Sequence, residues 1–181
     1  MQQTPGRNAS IALARSPLRS LPPLSALLLL SAIAPWAAEA RDLTGRLGLG
    51  FNSEFSAGTG ATGTPAVSIK YALAKDLAAE LIAGVSTGAP VESVAAMKVF
   101  KNLFFETNLN FYFTAGAGMV TAGENAGVEF LGAFGSEFFL PGLESVGFSF
   151  EAGGTLDNAS GTFAFRTLGA SFLQAGMHFY F

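Results

Sequence analysis

Apolar side chains recur at every second position from residue 43 to the end of the chain, which is the period of a β-strand. In residues 108–119, for example, Leu109 and Phe111 alternate with Asn110 and Tyr112. Loops and turns rich in Gly, Ser, Asn and Asp separate the alternating segments. The pattern predicts eight strands, over residues 43–52, 67–73, 77–86, 93–101, 108–119, 128–138, 146–153 and 172–181.

The predicted connections alternate in length. The odd-numbered connections, at residues 53–65, 87–92, 121–127 and 156–168, are mostly longer and polar, whereas those at 74–76, 102–107 and 140–143 are mostly tighter. Membrane β-barrels show this asymmetry between their two ends. In the last tight turn, Pro141 presets φ and Gly142 accepts a positive φ.

The two faces of the predicted strands differ in size and charge. One face is dense with Phe, Leu, Val and Met, and the other combines Gly and Ala with nearly every charge of the strand centres. The interior of an eight-stranded barrel is just wide enough for side chains to fill it, whereas the core of a soluble sandwich would accept charges at a high cost. The pattern therefore predicts an all-β, eight-stranded antiparallel up-and-down transmembrane β-barrel, and a soluble β domain is the alternative.

The inward charges predict an ionic network in the lumen. Lys70 lies opposite Glu80 if Ala72 pairs with Ala78, and cross-strand neighbours are close enough to form an ion pair. Our hypothesis is a plug of salt bridges that closes the barrel to free diffusion, and a polar transport path is the alternative. The predicted network comprises Arg46, Lys70, Glu80, Lys98, Glu129, Glu137, Glu151 and His178.

Aromatic side chains are expected to form girdles at the two membrane interfaces. The lower girdle is predicted to contain Tyr71, Phe100, Phe104, Phe105, Phe138, Phe139, Phe179 and Phe181. The looser upper girdle is predicted to contain Phe51, Phe55, Phe130, Phe163 and Phe165.

The first forty residues have the parts of a secretory signal peptide. Three arginines precede a short apolar run that proline interrupts, and Ala38-Glu39-Ala40 follows with small residues at the cleavage position. The run is too short and too broken for a transmembrane helix, which needs about 20 apolar residues. We therefore predict a signal peptide over residues 1–40, cleaved near Ala40, and a barrel domain over residues 41–181.

Composition excludes several classes of function. After removal of residues 1–40, seven basic and twelve acidic residues remain, a net charge of −5, and they form no basic cluster that could bind nucleic acid. The chain has no cysteine, which excludes disulfides and thiol chemistry. No metal-binding, cofactor-binding or catalytic motif is present, so we expect no cofactor, no metal and no enzymatic activity.

The C-terminus, Met177-His178-Phe179-Tyr180-Phe181, resembles the C-terminal signal of bacterial outer-membrane proteins. Residues 43–181 look like the small OmpA/OmpX/OmpW-type barrels, without a motif for any subfamily. The resemblance implies location in the outer membrane of a Gram-negative bacterium and contact with its lipid. It also implies that the barrel-assembly machinery reads Met177, Phe179 and Phe181 during insertion.

Three functions are compatible with such a barrel. The first is a structural or surface-interaction role, in which loops 53–65 and 156–168 are presented at the surface and the ligand is unknown. The second is passage of small apolar molecules, as in OmpW-like barrels, for which Ile82, Leu131 and Phe172 are the large apolar lumen candidates. The third is lipid modification, because some outer-membrane deacylases resemble this barrel. Ser171 and His178 are predicted on different faces and at opposite ends of the membrane, which argues against that third function.

Overall fold

The structure, a computed structural model, describes residues 42–56, 63–168 and 173–181, and its regular elements there are β-strands. Within these ranges, no helix is long and apolar enough to cross a membrane. The predicted signal peptide lies outside the described residues, as do Ser171 and Phe172. The strands are β1 (Leu47–Asn52), β2 (Ala66–Ala74), β3 (Leu77–Ser86), β4 (Glu92–Glu106), β5 (Leu109–Ala122), β6 (Asn125–Leu140), β7 (Leu143–Asp157), β8 (Ala164–Thr167) and β9 (Leu173–Tyr180).

The strands close into one barrel. Each strand from β1 to β7 pairs antiparallel with the next, and β1 also pairs with β9. Both β8 and β9 pair with β7, at Gly154↔Thr167 and Ala152↔Leu173, so they form one interrupted eighth strand. The predicted fold class, an all-β, eight-stranded antiparallel up-and-down barrel, is confirmed.

The fourth strand is longer than predicted. β4 continues to Glu106, so the prediction that residues 102–107 form a turn was wrong. A register shift between Asn102 and Phe104 exposes both Leu103 and Phe104, which breaks the alternation on which the prediction rested. The connection that was placed at residues 121–127 is likewise mostly strand, because β5 and β6 meet at a two-residue turn where Gly123 has φ 61°.

The predicted loop at residues 156–168 contains the short strand β8. Phe165 faces outward beside Leu156, and Arg166 pairs with Thr155 on the inward register. Four residues are too few to show a convincing period of two, so the pattern alone did not reveal this strand.

The start of the first strand also differs from the prediction. β1 begins at Leu47, and residues 43–46 form a turn in which Gly45 has φ 78°. This turn places the Leu43 side chain inside the barrel with Ala72, Phe139 and Tyr180 rather than on the outer face.

The outer surface carries an apolar belt. Leu49, Ile69, Leu81 and Met97 are each 43–60% exposed at the centres of their strands. Charged side chains on the outward register of the described strands lie only near the short-turn end, at Lys101, Glu106 and Glu144. Such a surface is stable against an apolar surrounding and unfavourable in water.

Three of the aromatic residues predicted for the girdles instead point into the lumen. Phe55, Phe100 and Phe139 are each no more than 2% exposed. Phe55 and Phe139 lie where the chain leaves the regular alternation, next to a loop and a turn. Phe100 lies two residues after Lys98 on β4 and shares its inward register, which the girdle prediction did not take into account.

Candidate functional site

The lumen of the barrel is the candidate site, and two layers fill most of it. The ionic layer lies on the short-turn side of the apolar layer and contains Lys70, Glu80, Lys98, Glu137, Glu151, His178 and the loop residue Glu54. The apolar layer is the end near the longer loops and contains Phe55, Ile82, Val94, Val120, Leu131 and Leu168. The side chains of both layers are at most 7% exposed.

Lys98 is the centre of the ionic layer. Its ammonium nitrogen lies 2.8 Å from Glu151 Oε2 and 3.9 Å from Glu80 Oε2, and it also forms an ion pair with Glu54. The hydroxyl of Tyr112 donates a hydrogen bond of 2.8 Å to Glu151. A buried charge is tolerated when it is paired and hydrogen-bonded in this way.

Lys70 forms a second ion pair, across the lumen. The strand register does place Lys70 opposite Glu80, but the Lys70 ammonium instead pairs with Glu137 Oε2 at 3.0 Å. The Tyr180 hydroxyl donates to the other oxygen of Glu137 at 2.6 Å. The Lys70 ammonium also lies 4.3 Å from the centre of the Phe100 ring, a cation–π distance.

Glu80 connects Lys98 to the histidine. Its Oε1 lies 3.1 Å from His178 Nε2 and accepts a hydrogen bond of 3.0 Å from the Asn52 side chain. His178 Nε2 also lies 2.9 Å from the Ser68 hydroxyl. His178 is thus surrounded by hydrogen-bonding groups of the lumen wall.

A third charged group lies at the mouth near the loops. Arg166 bridges Asp157 at 3.0 Å and Glu129 at 3.2 Å. Glu129 therefore lies apart from the ionic layer to which the sequence assigned it. Arg46 is the last residue of the turn before β1, is half-buried, and takes part in none of the ion pairs among the described residues.

Glycine provides the space that the large inward side chains need. A Cβ at Gly135 would lie 2.6 Å from the Tyr112 ring, whereas a Cβ at Gly132, on the outward register of the same strand, would meet nothing within 4 Å. Gly135 lies between Tyr112 of β5 and Glu151 of β7, so its missing side chain lets the Tyr112 ring pass over β6 to reach Glu151.

The sequence did not reveal several members of the site. Glu54, Phe55 and Arg166 belong to segments predicted as loops, where no period indicates which side chains turn inward. Tyr112 and Tyr180 lie on the inward register that the alternation predicts, and that parity is the signal that could have identified them. No group of three or more His, Cys, Asp or Glu side chains among the described residues is arranged to hold a metal ion.

Residues of the predicted assembly signal lie on the outer wall. Phe179 is exposed beside β1, Phe181 is exposed at the end of the chain, and Met177 is partly buried. Their role in assembly stays a prediction.

Comparison with known proteins identifies the fold. No family model matches the chain, and no curated protein matches it. Among solved structures, the chain is similar to the N-terminal beta-barrel domain of Pseudomonas aeruginosa OprF, with a TM-score of 0.55 and 14% sequence identity over 76% of this chain and 98% of that one. The fold is an eight-stranded barrel like that of the OprF domain. At this identity the likeness concerns the architecture alone, and it leaves the function to be argued from the lumen and the outer surface.

Proposed function

We propose that the chain is an outer-membrane barrel that is closed to dissolved solutes and has a structural or surface-interaction role. The observation that carries this proposal is the ionic layer, in which Lys98 and Lys70 each hold carboxylates from the opposite side of the lumen. Because these ion pairs span the interior, a hydrated ion would have to break them in order to pass.

The outer surface supports the membrane location. Apolar side chains face outward along the strand centres, and the outward charges lie near the short turns. In a bilayer every backbone group must be hydrogen-bonded internally, and a closed barrel satisfies this requirement. Lipid of the outer membrane is therefore the proposed surrounding, and the barrel-assembly machinery is the proposed partner during insertion.

Planar-bilayer recording tests the closed state. Purified protein that shows heat-modifiable migration on a gel should give no sustained conductance beyond the empty bilayer. The matched variant Lys98→Ala, which removes the central cation, should raise conductance if the ionic layer is the barrier. Large conductance from the unchanged protein would refute the proposal, and a monodisperse protein in buffer without detergent would refute the membrane location.

A second candidate function, binding or passage of small apolar molecules, is favoured by the apolar layer. Ala66 packs in that layer and also lines an outer groove of about 560 Å³ together with Phe51, Val67 and Val85. One strand thus separates an apolar interior from an apolar groove. Uptake of a radiolabelled hydrocarbon into vesicles, with and without the protein, distinguishes this function from the closed structural barrel.

Catalysis is the weakest candidate. His178 is enclosed by Glu80 and Ser68 within the ionic layer, where a membrane lipid would have to displace buried groups in order to reach it. We therefore expect no enzymatic activity, and mass spectrometry of lipid A from cells with and without the gene tests this expectation.

A further inference from the structure

Residues 53–56 leave the barrel wall where β1 ends and enter the lumen. Glu54, Phe55 and Ser56 are 7%, 1% and 3% exposed, although they belong to a connection between strands. The Phe55 side chain belongs to the apolar layer, and its ring tip lies 3.3 Å from the position of a Cβ at Gly116. This segment therefore supplies part of the lumen filling from outside the strands.

Side chains provide most of the contacts that hold this segment. The ladder between β1 and β2 ends at Asn52↔Ala66, before the segment begins. The Ser56 amide then donates to Glu129 at 2.8 Å, the Arg166 side chain donates to the Ser56 carbonyl, and Glu54 pairs with Lys98. The Gln174 side chain donates to the Ser53 hydroxyl at 2.6 Å, and a backbone bond runs from the Thr64 amide to the Phe55 carbonyl within the same connection. The segment can thus leave the lumen without breaking a strand ladder.

The cations that bind the segment also have other partners. Lys98 would keep Glu151 at 2.8 Å, and Arg166 would keep Asp157 at 3.0 Å and Glu129 at 3.2 Å. With Glu54 inside, three carboxylates surround the single ammonium of Lys98, and like charges at such short range repel. Departure of Glu54 therefore relieves repulsion and leaves neither cation unpaired.

The ionic layer has contacts that do not depend on this segment. The pairs Lys70–Glu137, Glu80–His178 and Lys98–Glu151 join side chains of different strands of the closed wall. Removal of residues 53–56 would thus leave the floor below the apolar layer shut.

We infer that residues 53–56 form a detachable strap, and that its release turns the apolar layer into a blind pocket open on the loop side. The pocket takes a small apolar molecule in place of the Phe55 ring, because Ile82, Val94, Val120 and Leu131 line it. The inference rests on the proposed function, since the closed ionic layer is the floor of the pocket.

Single cysteines on β5 and in the turn after it measure the opening, because the chain has no cysteine of its own. Val120→Cys reports the apolar layer, Thr114→Cys reports the level of Phe100, with which it pairs, and Glu124→Cys in an exposed turn is the reactive reference. Each is combined with the strap variant Phe55→Ala and with its matched control Phe51→Ala, which shortens an outward phenylalanine. Folded protein in vesicles is labelled with a small water-soluble methanethiosulfonate.

Phe55→Ala should raise the labelling rate of Val120→Cys about tenfold. This change corresponds to a free energy of strap release that is about 1.4 kcal/mol lower. Thr114→Cys should stay protected, and Phe51→Ala should change neither rate. Toluene should then slow the labelling of Val120→Cys in the Phe55→Ala protein without slowing that of Glu124→Cys. If Phe55→Ala fails to fold, Glu54→Ala, which removes the tie to Lys98, serves as the second strap variant.

The outcomes separate the two proposals. Protection of Val120→Cys in both strap variants would overturn the strap and leave the closed barrel standing. Labelling of both Val120→Cys and Thr114→Cys would overturn the blind pocket and the closed barrel together. An unchanged labelling rate in the presence of toluene would overturn the assignment of a small apolar ligand.

Discussion

The ionic layer and the apolar layer fill the same narrow barrel by different means. In the ionic layer, long charged side chains from facing strands meet across the lumen, as Lys70 meets Glu137 at 3.0 Å. In the apolar layer, the wall contributes shorter side chains such as Val94 and Val120, and Phe55 from a connection packs with them. Stability of the first layer depends on charge compensation, and stability of the second depends on the filling of volume.

The largest expected effect is the loss of charge compensation. Lys98→Met keeps most of the side-chain volume but leaves Glu54, Glu80 and Glu151 without their shared cation. Breaking a buried pair in this way costs about 3–5 kcal/mol. Urea unfolding in lipid vesicles measures the change, and Lys101→Met, which removes an exposed cation, is the control. If both variants lowered the free energy of unfolding equally, burial of the charge would not explain the effect.

The apolar layer should respond to a change of volume. Leu131→Ala removes a side chain that is 4% exposed, and such cavities cost about 2–5 kcal/mol in well-packed interiors. Leu81→Ala, on the outer belt, should cost less because lipid of the proposed membrane surrounding would fill the space. The same unfolding assay compares the two variants. A larger loss of stability for Leu81→Ala than for Leu131→Ala would show that the apolar layer is loosely packed.

Overpacking should distinguish the inside of β6 from its outside. A methyl group at Gly135 meets the Tyr112 ring, so Gly135→Ala should cost about 1–3 kcal/mol and weaken the bond from Tyr112 to Glu151. Gly132→Ala has open space around its new methyl group and should leave stability nearly unchanged. Tyrosine fluorescence, recorded during unfolding, measures the stability of both variants. A cost at Gly132 alone would reverse the assigned orientation of the strand.

The smallest effect is expected at an ion pair outside the lumen. At the turn between β2 and β3, the hydrogen bond from Lys101 lowers the pKa of Asp76 below its usual value of 3.8. Because the folded pKa is depressed, the contribution of this pair is present above pH 3.8 and is lost as the pH falls through the lower folded value. Asp76→Asn should therefore change the stability slightly at pH 7 and remove this part of the acid dependence. An acid dependence of stability that is identical in the variant would show that the pair contributes nothing.

The alternation of inward and outward side chains predicted those parts of the site that lie on regular strands. Lys98, Glu151 and His178 are inward because they alternate with apolar neighbours, and the same rule placed Leu81 and Met97 outward. The alternation is broken between Asn102 and Phe104, where a register shift adds a residue to one strand, and the prediction for Leu43 was wrong because a turn at Gly45 reverses the side chain. Short elements such as β8 contain too few residues for a period to be visible.

The sequence by itself determined the barrel, its eight strands, its apolar exterior and the inward direction of its strand charges, because each follows from a period of two along the chain. Tertiary structure alone decided the pairing of those charges. Lys70 pairs with Glu137 on the opposite wall and not with Glu80 on the neighbouring strand, because its long side chain can span a narrow barrel. It also decided that Glu54 and Phe55 lie inside, because the position of a loop side chain depends on the space that the strands leave and not on a local period.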